Sequence, residues 1–347
     1  PNTLARGLIT GKTRTIGVVA GDIQNPFYAS VLRGISNVAE SNGFGLLITN
    51  SDENQIQEIR SVELLAQKQV DGLIVTPSDT RKARHLHNLR AMGVPLVLID
   101  RAVAGLTVDR VATDNIAAAE RAVRRLIAAG HRRISIVAEL VEEDEGGLDA
   151  VVARAAAGQP VDSETLYPSW QRLLGYIRAH LIEGLPVDPL LIVRAGSYSA
   201  DAAELGTAAL LRQPAPPTAL FTSDGTMSEG AMCAITGLQL RIPQDLSLIC
   251  FDDLDWMSFL HPGITTVSQP RLAMGEEAAR MLLERIRGET YPARTVLMPA
   301  DLIERGSVGE VRTAGSAETS PGAARTSTAA APPPAPPAPS ARTRQGR

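Results

Sequence analysis

Short runs of Val, Ile and Leu recur along the chain, separated by longer amphipathic stretches, and this rhythm limits the possible folds more than any other feature. TIGVVA at 15–20, GLLITN at 45–50, GLIVT at 72–76 and PLVLID at 95–100 read as buried parallel strands. Between them, ASVLRGISNVAESNG, IQEIRSVELLAQKQ and RHLHNLRAMG carry apolar residues at helical spacing, the first and last closed by Gly43 and Gly93. The pattern returns in ISIVA at 134–138, LLIVRA at 190–195, ALFTS at 219–223 and LSLICFD at 246–252. Two such βαβ series predict an α/β fold of two doubly wound parallel sheets. Residues 114–130 read as one helix, with no linker of Gly, Ser or Pro between the two sets, so the lobes are expected to be closely joined. A length of 347 residues agrees, being too great for one ordinary core and suited to about two domains.

Composition excludes several classes. No window reaches the ~18 uninterrupted apolar residues of a membrane span, and the first thirty residues lack a signal peptide, so a soluble, cytoplasmic protein is expected. Cys233 and Cys250 are too few for a disulfide framework, and their apolar surroundings predict two buried thiols. A net charge of −4 argues against a globally basic nucleic-acid binder, yet Arg6, Lys12 and Arg14 precede the first acid, Asp22. The chain does not open on Met, and a further N-terminal piece is expected. After Val311 no Val, Leu, Ile, Phe or Met occurs, and seven prolines with Ala, Ser and Thr filler predict a disordered tail over 309–347. That tail is a dispensable extension or a weak electrostatic contact for a polyanion.

In open parallel sheets ligands sit beyond the carboxyl ends of the strands, and the polar residues cluster there. Asp22, Asn25 and Phe27 follow the first strand, Ser51 and Asp52 the second, Thr76 the third, and Asp100 with Arg101 the fourth. Ser223 and Asp224, then Asp252 and Asp253, occupy the same places in the second set. Two sheets facing each other across these loops would enclose a cleft for a small polar molecule, with carboxylates and amides meeting hydroxyls. Phe27, Tyr28, Trp170, Tyr198 and Trp256 stand out in a chain so poor in aromatics, either as stacking faces for a sugar or base or as core residues.

Other chemistry is weakly signalled. GLITGKT at 7–13 has one residue too few between its glycines for a phosphate-binding loop, and it precedes a strand where that motif must follow one. Asp252, Asp253 and Asp255 could hold a metal, bind a ligand or cap a turn. His85 and His87 read as a solvated surface rather than a zinc site. GxSxG, HExxH and CxxC are absent, so no enzyme, metal centre or cofactor is predicted.

One set of segments is more specific: PNTLARGLITGKTRTIGVV, DIQNPFYASVLRGI, NSDENQIQEIRSVELLAQKQVDGLIVTP, PLVLIDR, VATDN, GHRRISIVA, FDDLDW and TTVSQP. In order and spacing they resemble the LacI/GalR family of transcription regulators over about residues 1–308. The resemblance implies a helix-turn-helix head, not in these residues, a short hinge helix, and a two-lobed effector core like that of periplasmic sugar-binding proteins of type I. It implies a homodimer, and a repressor role in which a small effector, a sugar or derivative, controls operator DNA binding. A solute-binding protein for sugar uptake and an enzyme working at the cleft carboxylates are the rival readings.

The resemblance also places residues. It makes 1–14 the hinge arm, with Asn2, Ala5 and Leu8 at the DNA minor groove, where Leu8 would wedge a base step. Without its head the chain is expected to bind operator DNA weakly or not at all. Three crossings between lobes are implied, near Thr113–Asn115, Ser268–Gln269 and Met298–Pro299. The N-terminal lobe is then 15–113 plus 270–298, and the C-terminal lobe 114–269 plus 299–308. Effector contacts would come from Asn25, Phe27, Thr76, Asp100 and Arg101 in one lobe. Arg172, Tyr198, Asp224 and Asp252 would supply them from the other, with Gln269 at a crossover. Two departures stand out: Ser223 replaces a common Asn, and an insertion with five acids in 139–145 precedes Trp170 and Arg172, as a surface loop or a cover for the cleft.

Overall fold

The computed structural model describes residues 13–141 and 147–311. Asn2, Ala5 and Leu8 of the expected hinge, and the tail from residue 312, lie outside them. The chain enters at Thr13 and Arg14, whose backbone N–H groups donate to the two carboxylate oxygens of Asp71 at 2.8 and 2.9 Å.

The first lobe starts with β1 (Thr15–Ala20), α1 (Pro26–Ser41), β2 (Gly45–Asn50), α2 (Gln55–Gln67) and β3 (Gly72–Val75). It continues with α3 (Arg84–Ala91), β4 (Leu96–Ile99) and β5 (Asp109–Thr113). The second holds α4 (Asn115–Ala128), β6 (Ile134–Ala138), α5 (Gly147–Ala156), α6 (Pro168–Ile182), β7 (Ile192–Arg194), α7 (Ala200–Leu211) and β8 (Ala219–Thr222). Then come α8 (Gly225–Gly237), β9 (Ser247–Phe251), α9 (Asp255–Phe259) and β10 (Thr265–Ser268). The chain recrosses to form α10 (Arg271–Ile286) and β11 (Thr295–Met298), and ends in β12 (Asp301–Ile303).

Two six-stranded sheets result, in the orders β11-β5-β4-β3-β1-β2 and β12-β10-β9-β8-β6-β7. All pairings are parallel except β12 with β10. The chain passes between sheets after β5, after β10 and after β11, as the three-crossover fold requires. The inner strands β1, β3, β4, β6, β8 and β9 are covered on both faces, so they are nearly continuously apolar rather than alternating. Val18 packs with α1 and α10 residues such as Ile35 and Met274, while Val19 packs on the opposite face with Leu65 and Leu86.

Helix pairs approach through glycine. A Cβ on Gly275 of α10 would stand 2.0 Å from the Val31 carbonyl oxygen of α1, and one on Gly34 of α1 would stand 2.1 Å from the Leu272 carbonyl oxygen. Gly175 of α6 allows the same contact against Ile116 of α4. These contacts set the layer spacing and hold the recrossing helix against the first lobe.

Several details differ from the sequence expectation. The 309–311 segment assigned to the tail is docked: the Val311 N–H donates to the Ala129 carbonyl at 2.9 Å and the Gly309 N–H to Ser247 Oγ at 3.0 Å. Cys250 is buried but Cys233 is exposed, because Ala231, Ala234 and Ile235 take the inward face of α8. His85 is not on a solvated surface; its Nε2 lies 2.6 Å from an oxygen of the fully buried Glu58. LLIVRA divides into a turn of 3-10 helix, Pro189–Leu191, and the strand β7. The insertion contributes α5, whose Val151 and Val152 enter the core beside Trp170. Among the described residues no helix is long and apolar enough to cross a membrane, and no group of three or more His, Cys, Asp or Glu could hold a metal ion.

Candidate functional site

A cavity lies between the lobes, beyond the carboxyl ends of both sets of strands. Asn25, Phe27, Asp100 and Arg101 line it from the first lobe, Arg172, Tyr198, Asp224 and Asp252 from the second, with Gln269 at the crossover. Thr76 is brought elsewhere: it is buried at the end of β3, its N–H continues the ladder to the Val19 carbonyl at 3.0 Å, and it does not line the cavity. Trp170 is a core residue whose indole N–H donates to the Val141 carbonyl at 3.1 Å.

Two strand ends present their carboxylates in the same way. Asp100 follows β4 at φ 69° and Asp252 follows β9 at φ 68°, the left-handed region that Asp tolerates better than most side chains. Asp252 accepts from Gln269 Nε2 at 2.7 Å and from the Gly225 N–H at 3.2 Å. Gln269 Oε1 in turn accepts from the Thr113 hydroxyl at 2.7 Å, so two of the three crossovers share one hydrogen-bond chain with the cavity. Asp100 is less satisfied: its Oδ1 is buried without a hydrogen-bond partner, and its Oδ2 faces Nε of Arg101 at 3.9 Å, an ion pair too long for a hydrogen bond. The remaining Arg101 donors reach Glu53 and, at 2.9 Å, the Pro77 carbonyl.

The second lobe is fixed as firmly. Asp224 caps α8 by accepting from the Met227 N–H at 2.9 Å, and the Ser223 hydroxyl donates to its other oxygen at 2.7 Å. Arg172, on the inner face of α6, donates to Asn115 Oδ1 at 2.9 Å and to the Ser223 carbonyl at 2.6 Å. Its guanidinium lies 3.7 Å from the centroid of the Phe251 ring, a stacked position that lysine could not reproduce.

Contacts bridge the lobes directly. Asn25 caps α1 through its Oδ1, which accepts from the Phe27 N–H at 2.9 Å, while its Nδ2 donates to the Tyr198 hydroxyl at 2.9 Å. The Tyr167 hydroxyl donates to the Ser78 carbonyl at 2.7 Å, and the Tyr167 ring lies 5.0 Å from the Arg101 guanidinium.

Tyr28, one of the aromatics singled out in the sequence, also lines the wall, and residues not picked out from sequence complete it: Glu53, Glu139, Pro168 and Ser169. Glu139 directly follows β6, so the strand-end rule that found Asp100 and Asp252 also applies to it. Burial, then the nearby Asp224 carboxylate, pushes the Glu139 carboxyl up to about 7, against the opposing pull of Arg101 and the Ser169 hydrogen bond. Burial likewise raises Asp100 and Asp224 above the ordinary carboxylate range. Tyr198 retains 40% exposure, yet burial of its hydroxyl and the fields of Asp224 and Asp252 hold its pKa well above the usual phenol value.

A two-lobed cleft of fixed carboxylates, amides and a stacked guanidinium has the chemistry to hold a small polar molecule, and the fold is that of the periplasmic binding protein-like domain, whose family model matches residues 123–308. The chain is 31% identical over 307 residues to the HTH-type transcriptional repressor CytR of Escherichia coli (strain K12), covering 88% of this chain and 83% of that protein. Among solved structures it resembles a transcriptional regulator CelR–cellobiose complex, with TM-score 0.71, 28% identity and 85% of each chain covered. It also resembles a LacI family transcriptional regulator from Enterococcus faecium with bound ribose, with TM-score 0.70, 25% identity, and 86% of this chain and 100% of that one covered. The chain belongs to the LacI family of transcription regulators, and its relatives are regulators rather than enzymes.

Proposed function

We propose that this protein is a repressor whose core binds a small sugar or sugar derivative between its lobes and thereby changes its affinity for operator DNA. The observation that carries this reading is the cavity wall itself, which draws hydrogen-bonding side chains from both lobes and is spanned by the Asn25–Tyr198 contact. A solute touching both walls favours one inter-lobe angle, and a coupling of about 1–3 kcal/mol to the hinge arm is sufficient for regulation. Asn25, Phe27, Asp100, Arg101, Arg172, Tyr198, Asp224, Asp252 and Gln269 make the effector contacts. Asn2, Ala5 and Leu8 act at the DNA, the protein works as a homodimer, and it works in the cytoplasm. The dimer is supported by edge strand β2, where Leu47 and Ile48 are 39% and 48% exposed, an apolar edge that invites a covering partner.

A thermal-shift panel of pentoses, hexoses, disaccharides and nucleosides tests the reading. A true effector at 100 times its Kd adds about 2.7 kcal/mol of stability, a clear shift in melting temperature. If every sugar leaves the melting curve unmoved, the proposal fails.

A further inference from the structure

The charge balance of the cleft points to a narrower ligand class, resting on the sugar-binding reading above. Five carboxyl groups line the cavity, those of Glu53, Asp100, Glu139, Asp224 and Asp252, against two guanidiniums, those of Arg101 and Arg172. Both guanidiniums are engaged by protein: Arg101 grips Glu53 and the Pro77 carbonyl, and Arg172 holds Asn115 and the Ser223 carbonyl over the Phe251 ring. The Asp252 oxygens are committed to Gln269 and Gly225, and those of Asp224 to Met227 and Ser223. Asp100 is 7% exposed and its Oδ1 is buried with no hydrogen-bond partner, while among the described residues Glu139 receives a single hydrogen bond, from Ser169 at 3.1 Å. Arg101 stands 3.9 Å from the other oxygen of Asp100, so the site is short of donors at Asp100 Oδ1 and of donors and positive charge at Glu139. A neutral hydroxyl can donate one hydrogen bond to such an oxygen. An ammonium supplies three donors and the missing charge together, and charge-assisted bonds in a closed site are roughly twice as strong as neutral ones. Burial and mutual repulsion already push the carboxyls of Glu139, Asp100 and Asp224 upward, a cost that a bound cation relieves.

We propose that the effector carries a protonated amino group, held by Glu139 with Asp100, so that the cleft selects amino sugars over neutral, acetylated or phosphorylated ones.

The test is calorimetric titration of the full chain at pH 7 with D-glucosamine, D-galactosamine and D-mannosamine, each beside its neutral parent, its N-acetyl derivative and its 6-phosphate. The expected result is that an amine binds tightest, at least tenfold above its own neutral and N-acetyl forms. In Glu139→Gln, which retains an acceptor for Ser169, the amine should fall to within about twofold of its parent. The unfolding curve of the variant confirms that it is folded. A neutral, acetylated or phosphorylated sugar binding best overturns the amine and leaves the sugar-binding reading standing, whereas no binding by any member takes both down. An amine preference that survives in Glu139→Gln overturns the assignment to Glu139.

Discussion

The amide nitrogen of Asn25 lies 2.9 Å from the hydroxyl oxygen of Tyr198, and this one hydrogen bond joins the first helix of one lobe to a strand-end loop of the other across the mouth of the cleft. Asn25 is held for the task by capping its own helix, so the contact costs little further ordering. Removing the hydroxyl in Tyr198→Phe keeps the ring and deletes the bond, a net loss of about 0.5–1.5 kcal/mol of closed state. The variant should bind its sugar two- to tenfold more weakly and show a larger radius of gyration by small-angle scattering. Unchanged affinity and dimensions would show that the contact plays no part in closure.

The Asp252–Gln269 pair ties the crossover to the cavity floor. Asp252→Ala strands the Gln269 amide and the Gly225 N–H, and places a β-carbon without local hydrogen bonding at a left-handed φ. A loss of about 1–3 kcal/mol in urea unfolding is expected, with loss of sugar binding. Asp252→Asn tolerates the same backbone and should lose less than half as much stability.

Packing around the recrossing helix gives an independent check on the fold. In Gly275→Ala the new methyl meets the Val31 carbonyl, a backbone atom that can move only with its helix. About 1–3 kcal/mol of destabilisation is expected, visible as a lower urea midpoint. A neutral or stabilising outcome would mean that α1 and α10 are farther apart than described.

Glu139 makes stability depend on pH in a particular direction. Its folded carboxyl titrates near 7, pushed up by burial and by Asp224 and Glu53 against Arg101 and the Ser169 bond, whereas the unfolded group titrates near 4.5. Between those values the folded state keeps a proton that the unfolded chain releases, so this contribution falls as pH rises from 4.5 to 7 and is level above. The full difference is at most about 3 kcal/mol, part of it owed to the charge of Asp224. Urea unfolding of wild type and Glu139→Gln at pH 5 and pH 8 should show the variant losing less stability on going to pH 8. Parallel behaviour of the two proteins would refute the assignment.

Much of this site was legible because strand ends announce themselves. A run such as PLVLID must stop where the chain turns polar, and Asp100 and Asp252 are read off directly. Glu139 obeyed the same rule and was passed over, its run ISIVA leading into an unfamiliar insertion. Thr76 obeyed it too, yet its backbone continues the sheet by one more bond, which keeps it behind the cavity wall. Strand β5 was hidden because DRVAT carries Asp109 and Arg110, the former paired with Arg285 at 2.7 Å. Cys233 misled because its neighbours are apolar while helical periodicity turns it outward. The Tyr167–Ser78 and Asn25–Tyr198 contacts had no sequence signal, since they depend on how the two lobes meet.

The central claim is that a solute is gripped by both lobes at once. Amide hydrogen exchange with and without the sugar that gives the largest thermal shift tests it most directly. The account predicts new protection in the loops holding Asn25, Asp100 and Arg101 and, together with it, in those holding Ser169, Tyr198, Asp224 and Asp252. Protection confined to one lobe, or falling outside the cleft, would contradict it.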